Sequence, residues 1–144
     1  MNRRNKIGFH LGPGGNPTGI GEYMRALDQA GIPFTIKSVD HYGPCFEASQ
    51  LAQQSGVAHN IIFRLSSVGQ NHSYDFDVPP YKDPTFINDP EGAADKHWQK
   101  TKEKLPPEFD KSVWIEPINE VDKNQSFSVM NYWSFILHFD SIGF

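Results

Sequence analysis

Short apolar runs alternate with helically spaced apolar stripes along most of the chain. Lys6–Leu11 is an apolar run closed by the turn cluster Gly12-Pro13-Gly14-Gly15-Asn16-Pro17, which predicts a strand entering a loop. Thr18 is placed to cap a helix over Gly19–Ala30, where Ile20, Tyr23, Met24 and Leu27 fall at helical spacing and Gly31 supplies the stop. A second strand is predicted over Pro33–Val39, a loop over Asp40–Pro44, and a helix over Phe46–Ser55 ending at Gly56. The third strand, Ala58–Ser66, centres on Ile61-Ile62-Phe63, and the irregular stretch Ser67–Asp89 follows it. Pro90 suits the first turn of a helix reaching Leu105, with Ala94, His97, Trp98 and Thr101 on one stripe and Pro106-Pro107 as its end. A fourth strand, Ser112–Ile118, leads into Asn119-Glu120 and a polar turn, and Phe127–Phe139 reads as an apolar helix.

This alternation predicts an α/β fold of four β–α units, with parallel strands joined by right-handed crossovers. Four such units make half of a TIM-type (β/α)₈ barrel, which takes about 250 residues when complete. With 144 residues, the chain is expected to pair with a second copy, to stand in an altered form, or to be a truncated product. The connections are unequal. Those leaving a strand are polar and long, whereas Gly31-Ile32 and Gly56-Val57 return quickly from helix to strand. Ligand sites of parallel α/β folds lie where the long loops gather, at the carboxyl ends of the strands. His10, Lys37, Asp40, Arg64, Glu116 and Glu120 are all predicted there.

Charge and composition narrow the function. Thirteen basic residues are scattered among seventeen acidic ones, for a net charge of −4, so no concentrated positive footprint for nucleic acid is expected. The lone Cys45 leaves no internal disulfide and no all-thiolate metal site. The histidines at 10, 41, 59, 72, 97 and 138 show no metal-ligand spacing, and Asp75 and Asp77 lack the other ligands of a calcium loop, so no metal is expected. Ser66-Ser67 lies in no nucleophile elbow. The glycine-rich stretch Gly12–Gly21 leaves two readings open, a phosphate cradle or a rigid rim that lets a ligand approach closely. Pro13 and Pro17 remove donors from it and no P-loop lysine follows, so no cofactor is expected. No apolar run long enough to span a membrane and no signal peptide are read, which suits a cytoplasmic or virion-associated protein.

The sharpest chemical pattern is Trp114-Ile115-Glu116-Pro117-Ile118-Asn119-Glu120. Strand alternation puts Trp114, Glu116, Ile118 and Glu120 on one face, with Glu120 emerging at the rim. A carboxyl among other carboxylates in a partly dry rim tends to hold its proton, as a general acid must. The Glu-x-x-Asn-Glu spacing at the end of a fourth strand resembles the acid/base motif of the large clan of (β/α)₈-barrel glycoside hydrolases, over roughly residues 6–124. The resemblance implies a hydrolase site in which Glu120 is the proton donor, Asn119 binds a sugar hydroxyl and Glu116 is a supporting interior carboxylate. It also exposes a departure. The clan's nucleophile ends strand seven, which this chain lacks, and both glycosidase mechanisms need two carboxylates. One chain alone is therefore not expected to hydrolyse glycosides.

Several readings stay open beside this one. Glu116 and Glu120 can instead pair with Lys37 and Arg64 as interior ion pairs. Tyr42, in Asp40-His41-Tyr42-Gly43-Pro44, and the aromatic residues Tyr74, Tyr81 and Trp114 suit a glycan groove, although Tyr42 and Trp114 also suit a core. The rim residues expected to bind substrate are thus Asn119, Glu116, His10, Asp40, Arg64 and Tyr42, around the catalytic Glu120. Residues 1–124 form the expected half-barrel. Residues 125–144 form an aromatic helical tail, expected to mark a truncation or frame change relative to longer relatives, and an oligomerisation segment. Beyond the enzyme reading stand a non-catalytic glycan-binding module and a self-assembling structural protein, whose open sheet edge needs a cover.

Overall fold

A computed structural model of the chain describes residues 7–12, 18–64, 89–103, 105–107, 109, 111–117 and 129–143. They belong to two compact units. One holds the described residues up to Arg64 together with those of Pro107–Glu116; the other holds those of 89–106, Pro117 and 129–143.

The first unit is a sheet of four parallel strands in the order β1-β2-β3-β4, with β1 at Ile7–Leu11, β2 at Phe34–Val39, β3 at Asn60–Arg64 and β4 at Trp114–Ile115. Helix α1 (Ile20–Gln29) joins β1 to β2, and α2 (Gly43–Ser55) joins β2 to β3. Right-handed crossovers in a sheet of unbroken sequential order carry their helices to one side. Alternation along the strands sorts the residues to match. Leu11, Phe34, Ile36, Ser38, Ile61 and Phe63 share one face and are all buried. Each large apolar side chain among them contributes about 1.5–3 kcal/mol by leaving water. Helix α1 is tied to this side through Asp28, which bonds His59, whose ring stacks on Phe34 at 3.8 Å. Helix α2 is tied to it through Tyr42 at its N-cap, edge-on to Phe63 at 5.6 Å.

Element boundaries differ from the sequence expectation for identifiable reasons. Gly19 with φ 88°, not Thr18, is the N-cap of α1, and no side chain caps it. Helix α2 starts at Gly43 because Pro44 sits in its first turn, where a missing N–H costs nothing. Strand β3 begins at Asn60, since the His59 ring is engaged by its neighbours. Strand β4 spans only two residues. The ladder continues one bond further, from Glu116 N–H to the Phe63 carbonyl at 2.8 Å.

The second unit packs α3 (Pro90–Lys102) against α4 (Val129–Gly143). Asp89 caps α3 by accepting from Gly92 N–H at 3.0 Å. The expected stripe Ala94, His97, Trp98 and Thr101 is buried. The helix stops at Lys102, three residues short of Leu105, whose N–H closes a final turn on Thr101 and Lys102 carbonyls. Phe139 of α4 meets His97 and Trp98 edge-on at 5.4 and 5.5 Å, and Phe135 lies 5.7 Å from His97. His138 adds a bond to Asp95 at 3.0 Å.

Candidate functional site

The face of the sheet turned away from α1 and α2 is polar. Strand register places His10 beside Lys37, Lys37 beside Ile62, and Ile62 beside Trp114, so all four side chains share it with Val39, Arg64 and Glu116. Lys37 reaches across β3 to form an ion pair with Glu116, each side chain about a quarter exposed. Asn60 Nδ2 donates to Thr35 Oγ1 at 3.3 Å on the same face. Trp114 is 73% exposed there, unusual for so large an apolar ring. An open indole beside planar and charged hydrogen-bonding groups combines apolar contact with orientation, the pairing small-molecule sites use.

The sequence-predicted residues divide by position. His10, Lys37, Glu116 and Trp114 come together on this face, and Arg64 ends β3 beside them. Asp40 takes the left-handed conformation at φ 65° and donates its N–H to the Arg64 carbonyl at 2.9 Å, so the β2 loop is pinned to the end of β3. Tyr42 belongs to the other side, with its ring against Phe63 between sheet and helix. Asn119 and Glu120, with Ile118, His72, Tyr74, Asp75, Asp77 and Tyr81, lie outside the described residues, as does most of the glycine-rich loop. Of the two ion-pair alternatives for the interior acids, Lys37–Glu116 is present; Arg64 makes no such pair among the described residues.

Two buried polar groupings escaped the sequence pattern. At the amino-terminal end of the sheet, Asp28 accepts from Ser55 Oγ at 2.6 Å and from His59 Nε2 at 2.8 Å, while His59 Nδ1 accepts the Phe34 N–H at 3.3 Å. The ring thus bridges the backbone of β2 and the Asp28 carboxylate. Burial works to raise the Asp28 pKa, but the bonds from Ser55 and His59 outweigh it and hold the carboxyl below its ordinary value. The grouping clamps α1, α2, β2 and β3 at the amino-terminal end of the sheet. In the second unit, His97 Nε2 donates to the Pro117 carbonyl, fixing the chain two residues ahead of Asn119.

Cys45 contributes nothing nucleophilic. It is fully buried, its Sγ donates to the Ile62 carbonyl at 3.6 Å, and burial pushes the thiol up to about 12. Native protein is expected to resist iodoacetamide for hours at pH ~8 and to be alkylated within minutes in urea, read by intact mass. Rapid native labelling would contradict this placement. Among the described residues no three His, Cys, Asp or Glu side chains gather to hold a metal ion, and no helix is long and apolar enough to cross a membrane.

A scan against protein-family models, a search of curated proteins and a search of solved structures return no match. The functional reading therefore rests on the residues themselves.

Proposed function

We propose that the chain is a glycoside hydrolase-like protein that seats a glycan on the sheet face opposite α1 and α2, and that its β–α units are half of a (β/α)₈ barrel. The observation that carries the reading is the exposed Trp114 indole on the same polar face as the Lys37–Glu116 pair. A sugar ring presents C–H groups to the indole face and hydroxyls to flanking polar groups. In this reading Asn119 positions a hydroxyl, His10, Asp40 and Arg64 are rim partners, and Glu120 is the proton donor. Glu116, engaged by Lys37, is a poor nucleophile. Hydrolysis then needs a second carboxylate from another chain or segment, roughly 5–5.5 Å from Glu120 for retention or 6.5–9.5 Å for inversion.

Titrating soluble xylan-, cellulose- and mannan-derived oligosaccharides by calorimetry, with reducing ends assayed in parallel, tests the proposal. Binding is expected, and Glu120→Gln is expected to abolish any hydrolysis while leaving affinity within about twofold. Absence of binding to every oligosaccharide contradicts the reading; binding without hydrolysis, unchanged in Glu120→Gln, selects the non-catalytic module.

A self-associating structural role is the second reading. It is favoured by β1 and β4, each hydrogen-bonded on one side only among the described strands, and by exposed Met130, Trp133 and Leu137 along one face of α4. A monomer by light scattering would remove it, and with it barrel completion by a second copy.

A further inference from the structure

We propose that Arg64 anchors an oxyanion-binding site at the carboxyl-terminal end of β3. Its side chain is 5% exposed, and neither Nε nor Nη1 has a hydrogen-bond acceptor. A guanidinium does not give up its proton inside a protein, so the burden of burial cannot be relieved by neutralisation, as it is for lysine or histidine. Charged N–H groups buried without an acceptor, as Nε and Nη1 are, are among the least favourable arrangements a chain can hold. No described acid reaches Nε or Nη1. Glu116 pairs with Lys37, and the Asp40 amide donates to the Arg64 carbonyl at 2.9 Å.

The fork of N–H groups matches an acceptor carrying several oxygens, namely a carboxylate, a sulfate or a phosphate. Position agrees with chemistry. Arg64 shares the face opposite α1 and α2 with Lys37 and Glu116 and ends its strand where parallel sheets collect their ligands. A sugar-borne carboxylate and a free inorganic oxyanion satisfy the same atoms. The site thus extends the glycan reading toward acidic sugars without depending on it.

Thermal denaturation of the full chain in chloride at fixed ionic strength, with ~10 mM sodium glucuronate or sodium phosphate exchanged in, is the test. An anion that binds only the native state raises the melting midpoint, here by about 3 °C or more. Arg64→Met is expected to lose the shift and to melt no lower than wild type in chloride, because it removes a buried unpaired charge. Arg64→Lys is expected to keep a reduced shift. A stronger glucuronate response assigns the site to a sugar carboxylate, and a stronger phosphate response to a free oxyanion. A phosphate response with no oligosaccharide binding keeps this site and removes only the glycan reading. No shift in wild type, or an equal shift in Arg64→Met, overturns the proposal. Should Arg64→Met not fold, a wild-type shift that Arg64→Lys weakens supports the site, and one that Arg64→Lys leaves undiminished overturns it.

Discussion

Trp114→Ala is expected to weaken oligosaccharide binding by at least about tenfold, equivalent to 1.4 kcal/mol, and to leave the melting midpoint within about 2 °C of wild type. The two halves of this expectation come from the same fact. An indole that is 73% exposed makes little of the core, so its loss costs the fold little. In the proposed glycan site its stacking surface is given to the ligand, and aromatic residues carry a disproportionate share of binding energy. Trp133→Ala on α4 is the control, expected to leave affinity unchanged. A Trp114→Ala protein that binds like wild type would mean the indole face does not meet the ligand. One that unfolds would mean the ring serves the fold.

Acidification is expected to destabilise the second unit through one residue. His97 is buried against Phe135 and Phe139, its Nε2 bonds the Pro117 carbonyl and its Nδ1 has no partner, so a second proton would find no acceptor. Burial, helped by the Lys100 charge, lowers its pKa to about 4. In the unfolded chain the imidazole takes up a proton near its ordinary value of about 6.5. Between those two values the unfolded state therefore holds more protons than the native state. Stability is full above about pH 7 and falls as pH drops toward 4, by on the order of 3 kcal/mol in total. Urea unfolding followed by Trp98 fluorescence at pH 7 and pH 4.5 checks this. The drop seen in wild type is expected to shrink by most of that amount in His97→Leu. An equal drop in both proteins would show that His97 does not carry it.

The alternation of strands and helices was legible because its signals are local. Gly31 and Gly56 stop helices with left-handed backbones, Asp89-Pro90 starts one, and the Ala94–Thr101 stripe faces its unit's core. Boundaries failed where one residue type carries two meanings. Gly43-Pro44 reads as a loop but begins α2, since proline is as much at home in a helix's first turn as in a turn proper. Strand β4 stops at Ile115, where the apolar pattern alone extends it to Ile118, a position outside the described residues.

The site was half legible for a related reason. Period-two alternation put Trp114 and Glu116 on one face, and Lys37 joins them there. For Tyr42 the sequence left groove and core both open, because a loop residue's face is set by the helix it enters; its ring lies against Phe63. The Asp28–Ser55–His59 clamp joins residues 27 and 31 positions apart, a convergence only the folded chain makes. Arg64 was expected to find an acid; among the described residues Glu116 goes to Lys37 instead, and Arg64 Nε and Nη1 have no acceptor.

Amide and indole NMR shifts recorded during titration with the best-binding oligosaccharide would locate the ligand directly. Saturable changes at His10, Lys37, Ile62 and the Trp114 indole N–H, with Met24 and Ala48 of α1 and α2 undisturbed, are what a glycan on the opposite face requires. Changes confined to the helices or to the Trp133 indole, or none that saturate, would contradict it.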